Sequence, residues 1–161
     1  MMMKLGYLLP ALLMALAIAG CAAQINQDAA QKALAAGRLD EAAADIQTAL
    51  AHDPDNLQLK SLAADIFTRR GVQYYQQGAM IAAQADFQRA VAHQPNYAMA
   101  WDYLGLLASA QNDWQHAIEY GTRAASLEGK PDPSYVAFAR KQLARIKSGG
   151  VRPYAAPSPR P

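Results

Sequence analysis

The sequence predicts an all-α fold built by internal repetition, and three observations carry that expectation. Of 161 residues, 36 are Ala, the residue with the highest intrinsic helix propensity. Like residues recur 34 positions apart: Gly71 and Gly105, Ala83 and Ala117, Ala90 and Ala124, with Phe67 and Trp101 as an aromatic pair. The chain is 52% apolar and 17% charged, which suits one domain with a core of ordinary size. A single Cys excludes an intramolecular disulfide framework and, with three scattered His, argues against a Cys/His zinc site. A formal charge of +2 is too small to make nucleic acid the default partner.

The N-terminus is an export signal. Lys4 precedes an apolar run from Leu5 to Ile18, broken only by Gly6 and Pro10, and a charged start, a short apolar core and small residues describe a secretory leader. Leu5 to Ala23 is also long enough to be a membrane anchor, so the residues that follow decide. Ile18-Ala19-Gly20-Cys21 resembles a bacterial lipobox, whose Cys receives diacylglycerol and becomes the new N-terminus. The resemblance implies a signal peptide over residues 1–20 and a lipid anchor with a short tether over 21–23, Cys21 being the attachment residue. Ala22 stands where Asp would hold a lipoprotein in the inner membrane of a diderm bacterium. The expected location is therefore the outer membrane, facing the periplasm.

Trp101-Asp102-Tyr103-Leu104-Gly105 fits the pattern W-x2-L-G. With the recurring pairs, it resembles the tetratricopeptide repeat, a helix–turn–helix unit of about 34 residues. One repeat is framed by Ala64 to Tyr97, where Phe67, Gly71, Tyr74, Ala83, Phe87, Ala90 and Pro95 fit and Arg70 departs from the usual Leu. A second runs from Ala98 to Pro131; Trp101, Leu104, Gly105, Ala117 and Ala124 fit, whereas Ala108, Gly121 and Gly129 replace Tyr, Phe and Pro. Upstream, Gly37 to Ala42 opens a segment similar to the second helix of another repeat, with Gln24 to Ala36 as its less typical first helix. The resemblance implies an α-solenoid of about three such units over residues 24–148, closed by a capping helix.

Pro54 and Pro95 are equivalent in this frame yet stand 41 apart, so the extra residues should lengthen one helix. No turn signal breaks Asn56 to Gln77. Asp55 or Asn56 would cap that helix and Gly78 would end it, giving about 23 residues at about 1.5 Å rise each. Ser134 to Lys147 places Val136, Phe138, Ala139, Leu143 and Ile146 mainly at helical spacing, the amphipathic pattern of a helix that covers the last repeat. Residues 149–161 hold four Pro and two Gly and are expected to be a disordered tail. Charge divides along the chain: residues 21–130 carry a balance of −4, and residues 131–161 one of +5. Arg140, Lys141, Arg145 and Lys147 either solvate the outer face of the capping helix or, with Arg152 and Arg160, meet acidic lipid or an acidic partner.

Catalytic and metal chemistry find little support. His52 and His93 each stand two residues before a Pro with no carboxylate set beside them, and a His near a helix C-terminus is favoured by the dipole alone. His116 has no motif around it. Asp53-Pro54-Asp55-Asn56 lacks the Gly and distal Glu of a calcium loop and marks a helix start instead. No nucleophile elbow, zinc-protease, phosphate-loop or dinucleotide motif is present. A binding protein is expected rather than an enzyme, with no cofactor, metal or small-molecule substrate.

Tetratricopeptide arrays are similar in binding peptides along the face formed by each unit's first helix. Carried over position by position, that face is Asp65, Thr68, Arg69, Val72, Tyr75 and Gln76, then Met99, Asp102, Tyr103, Leu106 and Ser109. Two Tyr and an Arg among apolar and acidic groups resemble a peptide hot spot, although Tyr75, Tyr103 and Leu106 would also serve to pack a neighbouring helix. The resemblance implies a membrane-tethered adaptor that holds a peptide or helix of an envelope protein. Short lipoproteins of pilus-assembly (tight-adherence) and secretin-pilot types are similar in general plan. A self-associating structural lipoprotein is the alternative, and an accessory to an envelope enzyme a third.

Overall fold

The computed structural model describes residues 8–149, with side chains from Gly20 onward. Residues 1–7 of the expected signal peptide and 150–161 of the Pro-rich tail lie outside the described residues. Within them the chain is all-α: α1 (Leu8–Ala35), α2 (Leu39–His52), α3 (Leu57–Gln76), α4 (Met80–His93), α5 (Ala98–Ala110), α6 (Trp114–Glu128) and α7 (Ser134–Lys147). Two compact units divide at Tyr97, the first holding α1–α4 and the second α5–α7. No helix among the described residues is long and apolar enough to cross a membrane.

In the first unit, α1 packs on α2, α2 on α3 and α3 on α4. Helix α1 begins well before the expected start at Gln24 and runs unbroken through Cys21 to Ala35. Among its described side chains, Ala23, Ala30 and Ala33 are buried. On α2, Ala42, Ala43, Ile46, Ala49 and Leu50 are buried at three- and four-residue spacing, one stripe facing inward.

Helix α3 is longer than its neighbours, at 20 residues against 14 for α2 and α4. It is shorter than the expected 23 because Gln77 is already its C-cap. Asn56 caps its start, the side-chain oxygen accepting from the N–H groups of Gln58 at 3.0 Å and Leu59 at 3.2 Å. Two donors that would face the helix end unpaired are thereby satisfied.

One turn chemistry closes three helix pairs. Gly37 and Gly78 have φ of +72° and +76°, and Asn112 takes φ +61° at the corresponding place in the second unit. At each, the following N–H reaches back to the carbonyl five residues earlier: Arg38 to Ala33, Ala79 to Tyr74, Asp113 to Ala108. Gly adopts this left-handed conformation without a Cβ penalty, and Asn is among the few other residues that tolerate it.

Arg70, the departure from the repeat pattern, builds an ion cluster inside the first unit. Its guanidinium donates twice to Asp86, Nε to Oδ2 at 2.7 Å and Nη2 to Oδ1 at 2.9 Å, while Nη1 reaches Asp40 at 3.2 Å. Arg89 adds a bond to Asp86 at 3.2 Å. The Asp86 side chain is 2% exposed and that of Arg70 14%, so this is a buried, bidentate pair. Phe67 lies under both guanidinium groups, at 5.6 Å from Arg70 and 5.7 Å from Arg89.

The same ring stacks on His93, centroids 5.8 Å apart and planes 8° from parallel. Burial, helped by the charge of Lys60, lowers the His93 pKa. Protonation therefore favours the unfolded chain: the contribution of His93 is present above its ordinary value near 6.5 and is lost as pH falls through the lowered folded value. His116 works in the opposite sense. Its Nδ1 lies 2.6 Å from Asp113 Oδ2, and that bond and charge raise its pKa. Its small contribution is present below about 6.5 and fades as pH rises through the raised value. His93→Gln should therefore flatten the loss of thermal stability between about pH 7 and pH 5, measured as melting temperature by circular dichroism. An unchanged slope would show that the His93 environment does not control it.

In the second unit, α6 packs on α5 and α7 on α6, with α7 also touching α5. The Asp113 side chain caps α6 by accepting from the N–H of His116 at 3.3 Å, and Gly129, in the left-handed conformation, ends it. The α7 residues Val136 and Ala139 are buried, as expected of a covering helix. Phe138 is not: it is 51% exposed, meeting Trp114 edge-on at 5.6 Å.

Helix α7 also supplies what Gly121 lacks. In the first unit Phe87 lies against Gly71, so closely that a Cβ there would stand 2.7 Å from the ring. Gly121 occupies the position 34 residues after Phe87 and leaves that space empty on α6. Tyr135 and Val136 enter it from α7, and a Cβ on either Gly105 or Gly121 would collide with Tyr135.

Candidate functional site

The candidate face falls in two halves, one on each unit. On α3, Asp65, Arg69, Val72 and Gln76 are spaced by three or four residues, which places them on one side of a helix. Arg69 Nε donates to both oxygens of Asp65, at 3.0 and 3.1 Å, and this bonding raises the Arg69 pKa. Tyr97 donates its hydroxyl to Asp65 Oδ1 at 3.1 Å. Burial first, then the charge and hydrogen bond of Asp65, push the Tyr97 phenol up to about 12. The phenol consequently stays a donor at neutral pH. Asp65 is thus spoken for inside the unit, whereas the Arg69 side chain remains 60% exposed.

Thr68 is a correction. Expected on the face, it is instead fully buried, and its hydroxyl has no hydrogen-bond partner among the described residues. Directly after Phe67, it sits on the stripe that turns into the core beside Ala64 and Gly71. Val72 and Tyr75 are half-buried and Gln76 is exposed.

On α5, Met99, Asp102, Tyr103 and Leu106 follow the same spacing, with Ser109 near the end of the helix. Met99 is 53% exposed; Asp102, Tyr103, Leu106 and Ser109 are half-buried. Asp102 is engaged internally, its Oδ1 accepting from the Tyr135 hydroxyl at 2.8 Å. Burial and this carboxylate drive the Tyr135 phenol far above the usual range. The exposed side chains of the two faces are Arg69, Gln76 and Met99, and Val72, Tyr75, Tyr103, Leu106 and Ser109 are exposed in part.

Tyr97 and Tyr135 were not among the expected residues, although each holds a carboxylate of the face. For Tyr135 a signal existed: it lies 34 residues after Trp101, as Ala139 lies 34 after Gly105. Helix α7 therefore continues the repeat frame as the first helix of a further unit. Tyr97 has no comparable partner at that offset.

No group of three or more His, Cys, Asp or Glu among the described residues could hold a metal ion. Cys21 is a free, exposed thiol on α1.

Comparison with known families gives a match to a profile described as tetratricopeptide repeat over residues 28–80 and 69–135. No curated protein sequence matches the chain. Among solved structures, MamA is similar at 20% identity and a TM-score of 0.46, over 80% of this chain and 86% of that one. The Sgt2 repeat domain from Aspergillus fumigatus is similar at 20% identity and 0.46, over 86% and 90%. The first such domain of Spaghetti (RPAP3), bound to the HSP90 peptide SRMEEVD, is similar at 20% and 0.47, over 80% and 95%.

Proposed function

Because this chain belongs to the tetratricopeptide repeat family, whose members are protein-interaction modules, we propose that it is a membrane-anchored adaptor. It holds a peptide or helix of a cell-envelope partner and supports assembly of an envelope complex, such as a pilus or secretion apparatus. The observation that carries this reading is the pair of helix faces on α3 and α5. Each carries a half-buried Tyr, Tyr75 or Tyr103, and an exposed side chain, Arg69 or Met99. Rigid aromatics give contact area at little entropic cost, and Arg adds directional donors.

The anchor rests on the lipobox-like Ile18-Ala19-Gly20-Cys21. Each buried methylene of an attached acyl chain contributes about 0.8 kcal/mol, so several chains on one residue make detachment rare. With Ala22 rather than Asp after that Cys, the location we propose is the periplasmic side of the outer membrane. Self-association is favoured by a different observation: Ile81 is 87% and Leu57 76% exposed on the first unit.

One experiment separates these readings: co-purification of the tagged full-length chain in mild detergent beside a Tyr75→Ala/Tyr103→Ala variant and a Cys21→Ser variant. The adaptor reading expects a discrete envelope protein retained by the parent and lost by the double variant with its helicity unchanged. It also expects Cys21→Ser to leave the membrane fraction. Recovery of only the chain itself from both parent and double variant would replace the adaptor with the self-associating protein.

A further inference from the structure

We propose that the second unit carries another docking site, a pocket lined from α5, α6 and α7 that takes an acidic peptide segment bearing a large apolar side chain. The pocket has a volume of about 620 Å3, within the roughly 300–1,000 Å3 of typical binding clefts. Its lining includes Trp101, Ile118 and Tyr120, with Arg123 and Arg140 at its border and Glu119 as the one acid. None of these belongs to the α5 face described above, so the site is separate from the adaptor face and does not depend on it.

Two features select the occupant. Trp101 and Tyr120 lie 5.5 Å apart between ring centroids, a rigid aromatic wall that gains most from covering an apolar side chain. Of the three charged side chains that line the pocket, Arg123 and Arg140 are basic and Glu119 is acidic. Arg140 is paired with Asp132 at 2.6 Å, but Arg123 makes no ion pair among the described residues, which leaves its guanidinium open to a carboxylate. Helix α7 carries four basic residues and no acid. A guanidinium at the edge of an apolar pocket binds a carboxylate through two parallel donors, and Trp, Tyr and Arg together are the composition of an interface hot spot. A lipid surface would also answer to basic charge. It requires apolar groups that protrude, however, and here the apolar groups line a hollow.

The test uses the full-length chain in nonionic detergent and fluorescein-labelled Asp-Glu-Phe-Glu-Asp, read by anisotropy. The expected result is saturable binding that weakens at least tenfold when Phe is replaced by Ser or the acids by Lys. Arg123→Glu should weaken it at least tenfold with melting temperature and helicity unchanged, while Tyr75→Ala/Tyr103→Ala should leave it intact. Absence of saturable binding overturns the proposal. So does indifference to Arg123→Glu, or loss of binding in the double Tyr variant. Phosphatidylglycerol vesicles captured through Arg123 with no peptide bound would replace the peptide with a lipid surface.

Discussion

Asp86→Ala should lower the stability of the first unit by about 3–5 kcal/mol, the usual consequence of removing one partner from a buried ion pair. The loss follows from what remains. Arg70, 14% exposed, keeps only the 3.2 Å contact with the exposed Asp40, and Arg89 loses its acceptor. A second variant separates the pair from its burial. The residues 34 positions after Arg70 and Asp86 are Leu104 and Tyr120, so the second unit fills the equivalent places without an ion pair. Arg70→Leu/Asp86→Tyr should recover most of the loss, since replacing both charges by well-packed apolar groups is often neutral or better. Urea denaturation followed by circular dichroism would decide. If the double variant were no more stable than Asp86→Ala, the attraction itself, rather than the stranding of a buried charge, would be what holds α3 to α4.

Tyr135→Ala should cost about 3 kcal/mol in the second unit, because truncating a large core ring leaves a void that neighbours close only in part. Here the void opens against Gly105 and Gly121, which have no side chains to lean into it. Tyr135→Phe keeps the ring and removes only the donor to Asp102, for about 1 kcal/mol. Hydrogen exchange gives the spatial check: amides of α7 and the facing part of α6 should lose protection, and those of α2 should not. Equal losses in both units would mean that Tyr135 acts on the whole chain rather than on its own helix layer.

The helices were legible because their signals are local. Asn56 caps α3 and Gly78 ends it through contacts within a few residues, and the long helix announced itself in the 41-residue interval between Pro54 and Pro95. The apolar stripe of α7 likewise named Val136 and Ala139. What stayed hidden depends on partners distant in sequence. Arg70 registered only as a mismatch, since nothing near it shows that Asp86 waits 16 residues on in the same core. Thr68 was placed on the open face by transfer of a repeat position, but burial is decided by what lies over the position and not by its number in the repeat. Asp65 and Asp102 were found as face residues while the tyrosines that hold them were missed, one 32 and the other 33 residues downstream.

The hole at Gly121 and the ring that fills it have a bearing on how such an array can grow. Tandem copying of residues 98–131 would set a duplicate of Trp101 where Tyr135 now stands. That indole would have to enter a space shaped for a phenol, with no hydroxyl to give to Asp102. Lengthening by plain duplication is thus penalised at the joint where the new copy must dock, and succeeds only with a compensating change on one side of it. A glycine on one helix has become a rule about which helix is permitted to come next.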